Sequence, residues 1–111
     1  MDSLLLIDTD ILIDVGRKNN TAIERLDEAR MTNVTAISSI TEMELIVGCR
    51  NKNELRQLDK FFEDFEIINL NYEITQKAIE LLKEYKLSHG LLIADSFIAA
   101  SALILDSPLL T

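Results

Sequence analysis

Residues 3–14 read SLLLIDTDILID, an apolar run that ends at an aspartate and continues into a second apolar stretch. A short continuous run such as SLLLI at 3–7 is typical of a strand that is buried on both faces, as in a parallel sheet. Two further strands are predicted at VTAIS, 34–38, and EIINL, 66–70, because both are rich in β-branched residues, and PLLT at the end of the chain predicts a last short one. The first stretch therefore favours an α/β fold built on a parallel sheet.

Helical patterns separate these predicted strands. Capping residues predict helices that start after Asn20 or Thr21, after Thr41 and after Asn71, and a last helix is predicted from about Ser96 to Leu105. The last helix is apolar almost all round, which places it in the interior or at a subunit interface. Strands and helices thus alternate, which predicts a three-layer α/β/α fold with a central parallel sheet, and the length predicts a single domain over 1–111.

The composition excludes several classes of protein. The chain has 111 residues, of which 48% are hydrophobic, so it can bury a core. A single Cys49 and a single His89 leave neither an intramolecular disulfide nor a Cys/His zinc site. The longest apolar stretch, 91–105, is shorter than the roughly 18 residues of a membrane span, and the N-terminus lacks the basic flank of a signal peptide. We therefore expect a cytoplasmic protein with no membrane partner.

The formal net charge of −8 argues against a broad basic surface for nucleic acid. It does not exclude nucleic acid as a substrate. Carboxylates that gather around divalent cations attract phosphate once the metal is bound.

Three carboxylates are candidates for such a site. Asp8 ends the first predicted strand, where ligands of parallel sheets gather, although it could also be a helix cap. Glu44 follows the second strand, and with Thr41 it also matches a capping box. Asp95 interrupts an apolar stretch, where burying an ionised carboxylate is costly unless it is paired, hydrogen-bonded or bound to metal; its alternative is an N-cap ahead of Ser96.

A cation would explain why these three side chains come together. Carboxylates without Lys or Arg among them repel and raise one another's pKa. Ligation by oxygen alone selects Mg²⁺ or Mn²⁺, and such ions activate water and stabilise a phosphodiester under attack. Carboxylates gathered around such ions are the pattern of a metal-dependent nuclease, with Asp8, Glu44 and Asp95 as the candidates for both metal ligands and catalytic residues. The choice of Glu44 instead of Glu42 is what the resemblance described next implies.

Three segments in this order, LLLIDTDILID, AISSITEMELIVG and HGLLIADSFIAASAL followed by SPLLT, resemble the successive motifs of PIN-domain toxins of the VapC type. The resemblance runs over essentially the whole chain and places the family's acids on Asp8, Glu44 and Asp95. It implies the toxin of a VapBC-type toxin–antitoxin system, an endoribonuclease that uses Mg²⁺ or Mn²⁺ and cuts structured RNA such as transfer RNA. It also implies a cognate antitoxin as partner, with a homodimer or a toxin–antitoxin hetero-oligomer as the assembly.

Alternatives to this interpretation remain. Family members usually continue past the last strand, so we expect a C-terminal segment to be missing after Thr111, and the chain could then be a catalytically impaired PIN scaffold that binds an antitoxin or itself. The Asp8-Thr9-Asp10 sequence is also similar to the DxD of haloacid-dehalogenase-like phosphohydrolases, but Leu12 and the lack of a plausible catalytic lysine fit that class poorly.

Apolar residues left over once the core is filled would form the interface with an antitoxin or a second copy. The candidates on this sequence are Leu45, Ile46, Phe61, Phe62 and Phe65.

Overall fold

A four-stranded parallel sheet organises the computed structural model, which describes residues 3–111. The strands are β1 (Ser3–Ile7), β2 (Asn33–Ser38), β3 (Glu66–Ile68) and β4 (Leu109–Leu110), and their order across the sheet is β3-β2-β1-β4. Every neighbouring pair is parallel, so the carboxyl ends of all four strands lie at one edge. The first two residues of the predicted domain 1–111 lie outside the described residues.

Six helices connect and cover the strands within this range. They are α1 (Thr9–Gly16), α2 (Asn20–Thr32), α3 (Ser39–Val47), α4 (Lys52–Phe62), α5 (Tyr72–His89) and α6 (Ile93–Ile104). In the described part of the chain, no helix combines the length and the hydropathy needed to cross a membrane.

The alternation of side chains along β1 explains the three layers. Ile7 faces one side of the sheet and packs with Ile37 against Leu26 of α2 and Phe62 of α4. On the other side Leu6 packs with Ala36, Ile98 and Ala102, and this places α6 on the sheet. Helix α5 packs on α6 through Ile74, Ala78 and Ala100. Each fully buried Leu or Ile side chain contributes about 1.5–3 kcal/mol. The predicted three-layer α/β/α fold is confirmed.

Three predicted helix starts are wrong by a few residues. Asn19, not Asn20 or Thr21, caps α2, since its side chain accepts a hydrogen bond from Ala22 N at 3.0 Å. Ser38 caps α3 by accepting from Ile40 N at 3.1 Å, so Thr41 lies inside the helix. Helix α6 begins at Ile93 instead of Ser96. The predicted cap of α5 is confirmed, because Asn71 accepts from Ile74 N at 2.9 Å.

The predicted interface residues divide between core and surface. Phe62 and Phe65 are each 7% exposed and belong to the core beneath α2, so they are not available to a partner and that part of the prediction is wrong. Leu45 and Phe61 are half-buried against the same core, whereas Ile46 is exposed.

Candidate active site

Asp8 lies at the carboxyl end of β1, between β2 and β4. Its backbone N–H donates to the Leu110 carbonyl at 2.9 Å, which fixes the residue beside the last strand. Its side-chain Oδ1 accepts from Thr9 N at 2.7 Å, so Asp8 is the N-cap of α1. The cap occupies one carboxylate oxygen and leaves the second for another role. The cap interpretation is therefore right, and it is compatible with metal binding.

Thr9 is the residue that connects the first helix to Glu44. It is buried, and its Oγ1 lies 2.9 Å from Glu44 Oε1 and 2.9 Å from Thr41 Oγ1. An ionised carboxylate can only accept, so the Thr9 proton points to Glu44 and the Thr41 hydroxyl donates to Thr9. A chain of two hydrogen bonds, from Thr41 through Thr9 to Glu44, thus joins α3 to the residue directly after Asp8.

Glu44 is exposed on α3, the helix that starts where β2 ends. Because Ser38 caps α3, Glu44 lies in its second turn, and the capping box with Thr41 is not formed. Its carboxylate instead accepts from Thr9. Thr41 and Glu44 are three residues apart on a helix and share a face, which turns both toward α1.

Asp95 lies in the first turn of α6 and is exposed. Its exposure means that the cost of burying a carboxylate does not arise here. The N-cap alternative is wrong, since the cap position is Leu92, which makes no side-chain hydrogen bond. The next residue, Ser96, is fully buried and donates from Oγ to the Ile93 carbonyl at 2.6 Å. The partial positive charge of the helix N-terminus favours a carboxylate at this position.

The electrostatics of Asp8 show which acidic residues surround it. Burial is the largest cause that raises the pKa of the Asp8 carboxyl above its ordinary value; the hydrogen bond from Thr9 N opposes it, and the charges of Asp10, Asp95 and Glu44 raise it further. Glu44 and Asp95 therefore each lie within electrostatic reach of Asp8, and so does Asp10.

No basic side chain compensates this group within residues 3–111. The ion pairs of this range join Arg30 to Asp64, Arg50 to Glu54 and Lys77 to Glu80, all outside the acidic group.

The described side chains do not form a ready-made metal cage. Among residues 3–111, no three His, Cys, Asp or Glu side chains are grouped closely enough to hold an ion as they stand. The donor set still suits a hard cation, because it consists of oxygens and carries uncompensated like charges. That Asp8, Glu44 and Asp95 close around one ion stays a prediction.

Sequence reasoning missed Thr9 and took Thr41 for a cap. The hydrogen bond between Thr9 and Thr41 joins residues 32 positions apart, and no local sequence pattern predicts it. The available signal was the placement of a threonine between Asp8 and Asp10 at a strand end, and the three-residue spacing of Thr41 and Glu44 on one helix.

A cavity of about 540 Å³ opens beside Glu44. Helices α1, α3 and α4 form its walls, and its polar lining residues include Arg17, Glu54 and Gln57. The candidate site thus continues into a groove with one basic side chain that no ion pair of residues 3–111 engages.

The protein is a three-layer α/β/α protein with a parallel sheet. The acidic side chains at the carboxyl edge of this sheet form a candidate cation site. The sequence matches the PIN domain over residues 5–111, and the chain belongs to this family.

Curated relatives match the sequence over nearly the full chain. The sequence is 36% identical to Ribonuclease VapC1 of Methanocaldococcus jannaschii, in an alignment that covers 99% of this chain and 76% of the relative. It is 31% identical to Ribonuclease VapC10 of Mycobacterium tuberculosis, with 97% of this chain and 81% of the relative covered.

Solved structures give the same result. A toxin–antitoxin complex from Klebsiella pneumoniae contains a chain with a TM-score of 0.84 and 32% identity, covering 96% of this chain and 84% of that one. VapBC2 from Rickettsia felis, solved with a DNA fragment from its promoter, has a TM-score of 0.80 and 28% identity, covering 97% and 86%.

Proposed function

We propose that this chain is the toxin of a VapBC-type toxin–antitoxin system, an endoribonuclease that hydrolyses RNA phosphodiester bonds with Mg²⁺ or Mn²⁺ at Asp8, Glu44 and Asp95. The observation that carries the proposal is the environment of Asp8, whose partly buried carboxyl has a pKa raised by burial and by the charges of Asp10, Asp95 and Glu44. The ribonuclease relatives supply the class of reaction.

Each proposed ligand is held by a different part of the fold. Asp8 is fixed by β4 and by its cap on α1. Glu44 is oriented by the Thr9 hydroxyl, and Asp95 is presented by the first turn of α6. A bound Mg²⁺ or Mn²⁺ would supply an activated water and neutralise charge on the phosphate. The protein's own contribution is to keep three carboxylates on separate, rigid supports, so that the repulsion between them is relieved only when a cation binds.

The proposed partner is a cognate antitoxin. Similar solved chains occur in toxin–antitoxin complexes. Large exposed apolar side chains on this chain could be covered by an antitoxin or by a second copy; they include Val47 on α3, Leu87 on α5, and Leu92 and Ile93 at the start of α6. The RNA substrate and the single cysteine suit the cytoplasm.

Cleavage of RNA by the purified chain, free of antitoxin, tests the function. We expect cleavage of a transfer RNA mixture with Mg²⁺ or Mn²⁺ and none in EDTA. Asp8→Asn keeps the helix cap and removes the charge, so it should abolish the metal-dependent activity. Asp14→Asn, on the same helix but outside the charges that raise the Asp8 pKa, is the matched control and should cleave like the wild type. Folded wild-type chain that leaves RNA intact at all metal concentrations would favour the impaired-scaffold alternative.

A further inference from the structure

The cavity beside Glu44 contains a basic side chain to which the proposed reaction gives no role. Arg17 follows the last residue of α1 and is exposed. It lines the same cavity of about 540 Å³ as Glu44, together with residues of α3 and α4. One groove therefore runs from a proposed metal ligand to a guanidinium.

The other charges in this cavity leave Arg17 available. The second acid of the lining, Glu54, is engaged by Arg50, whose backbone N lies 2.9 Å from Glu54 Oε1 and whose Nε and Nη2 lie 3.2 to 3.3 Å from the Glu54 carboxylate. Arg17 takes part in none of the ion pairs found between residues 3 and 111. Its neighbour in the lining, Gln57, is neutral.

The spacing between Arg17 and the acidic edge suits a nucleic acid strand. Thr9 opens α1 and bonds to Glu44, and Arg17 follows the other end of this helix of eight residues. At 1.5 Å per residue the helix rises about 12 Å. A strand whose scissile phosphate lies at the acidic edge would extend along the groove and bring another phosphate of the same strand to Arg17. A guanidinium can bind a phosphate through two parallel hydrogen bonds, which fixes its position as well as its charge.

We propose that Arg17 is a positioning residue that holds a phosphate of the RNA strand flanking the bond cut at the acidic edge. The inference rests on the proposed ribonuclease function. A chain with a net charge of −8 needs a local cation to bring a polyanion to an acidic site, and Arg17 would supply this positive charge.

Three variants test this assignment. Arg17→Gln removes the charge and keeps a long polar side chain, and Arg17→Lys keeps the charge without the two-point geometry. Arg25→Gln is the matched control, since it makes the same charge change on the exposed face of α2, which does not line the cavity. Both positions are exposed, and equal melting temperatures will show that the variants fold.

Binding is measured by fluorescence anisotropy with a labelled single-stranded RNA oligonucleotide in EDTA, where the proposed reaction cannot run. We expect Arg17→Gln to weaken binding about tenfold and to lower the slope of log affinity against log salt by about 1. Arg17→Lys should keep the slope and lose part of the affinity, and Arg25→Gln should bind within about twofold of the wild type. In cleavage assays with Mn²⁺, Arg17→Gln should raise KM and leave kcat nearly unchanged, the signature of lost uniform binding.

Three results would overturn the assignment. The first is an RNA affinity of Arg17→Gln equal to that of the wild type, even if Arg17→Gln changes the binding of a protein partner. The others are an equal loss of RNA affinity in Arg25→Gln, or no RNA binding by the wild type. A different result separates this inference from the proposed function. If RNA binding depends on Arg17 but no cleavage occurs with Mg²⁺ or Mn²⁺, the phosphate contact stands and the nuclease proposal fails.

Discussion

Substituting valine for Thr9 keeps the shape of a buried side chain and removes the hydroxyl that joins Glu44 to Thr41. Two losses follow from the geometry. Glu44 loses a donor at 2.9 Å, and the fully buried Thr41 hydroxyl loses the acceptor at 2.9 Å. A bond to an exposed carboxylate contributes about 1 kcal/mol, and a buried hydroxyl left without a partner costs about 1–3 kcal/mol.

Together these losses lower the free energy of unfolding by about 2–4 kcal/mol. With an unfolding entropy of about 2.1 cal/mol/K per residue, the 111 residues lose roughly 4 °C of melting temperature per kcal/mol. Thr9→Val should therefore melt about 8–16 °C lower than the wild type. Thr41→Val alone should cost only about 1 kcal/mol, because Thr9 still donates to Glu44.

The double variant makes the test specific. Thr9→Val with Thr41→Val leaves no buried hydroxyl without a partner, so it should be more stable than Thr9→Val by itself. Thermal and urea unfolding of the metal-free wild type and the three variants measure the cycle. Additive losses, with the double variant the least stable of the four, would refute the hydrogen-bond chain from Thr41 through Thr9 to Glu44.

Three further predictions follow from the acidic edge and the helix ends. The pKa of the Asp8 carboxyl is raised above its ordinary value of 3.8, so the ionised carboxylate destabilises the metal-free fold once the pH rises above 3.8. Asp8→Asn should therefore melt a few degrees higher than the wild type at pH 7. Calorimetry should show that this gain vanishes as the pH falls below 3.8. Asp95→Asn should melt within a few degrees of the wild type, because the lost interaction with the helix N-terminus and the relieved repulsion from Asp8 oppose each other. It should lose RNA cleavage on the order of a hundredfold, and a well-folded variant that still cleaves would remove Asp95 from the site. Gly90 ends α5 at φ 64°, so Gly90→Ala should cost about 1 kcal/mol, whereas Gly16→Ala, whose added Cβ meets nothing within 4 Å, should be neutral or stabilising in urea unfolding.

The fold could be predicted because the apolar composition of the strand segments indicates that they are buried. The run at 3–7 forms β1 with the predicted bounds, and its alternate residues supply the core on both faces, with Ile7 on one side and Leu6 on the other. The short strand β3 was harder to bound, since only Glu66–Ile68 of the predicted 66–70 pair with β2. Pairing is decided by the neighbouring strand, which a single segment does not reveal.

Helix α6 shows how Asp95 can be exposed within an almost uniformly apolar stretch. Its residues look alike in sequence, but Ile98 and Ala102 pack on the sheet and Ala100 packs on α5, while Leu103 is exposed. A helix that is covered over part of its circumference can still present a carboxylate to solvent without any burial cost. The prediction for the start of α3 was wrong for a related reason. Ser38 and Thr41 are equally good caps when only the local sequence is considered, and the contact between Thr41 and Thr9 is long-range.

The chemical roles of Asp8, Glu44 and Asp95, and the single domain over 1–111, stay predictions. The sequence could place Asp8 and Glu44 after successive strands and Asp95 just ahead of the last predicted helix, and the fold brings Glu44 and Asp95 within electrostatic reach of Asp8. Whether they close on one ion depends on small side-chain rotations, which like charges oppose until a cation is present.

Anomalous diffraction from crystals grown with Mn²⁺ tests the central claim most directly. The account predicts a manganese peak at the carboxyl edge of the sheet, with oxygens of Asp8, Glu44 and Asp95 at about 2.0–2.6 Å from the ion or from a pair of ions. A manganese peak bound only by other acidic residues, or no peak at this edge in crystals soaked to saturation, would contradict it.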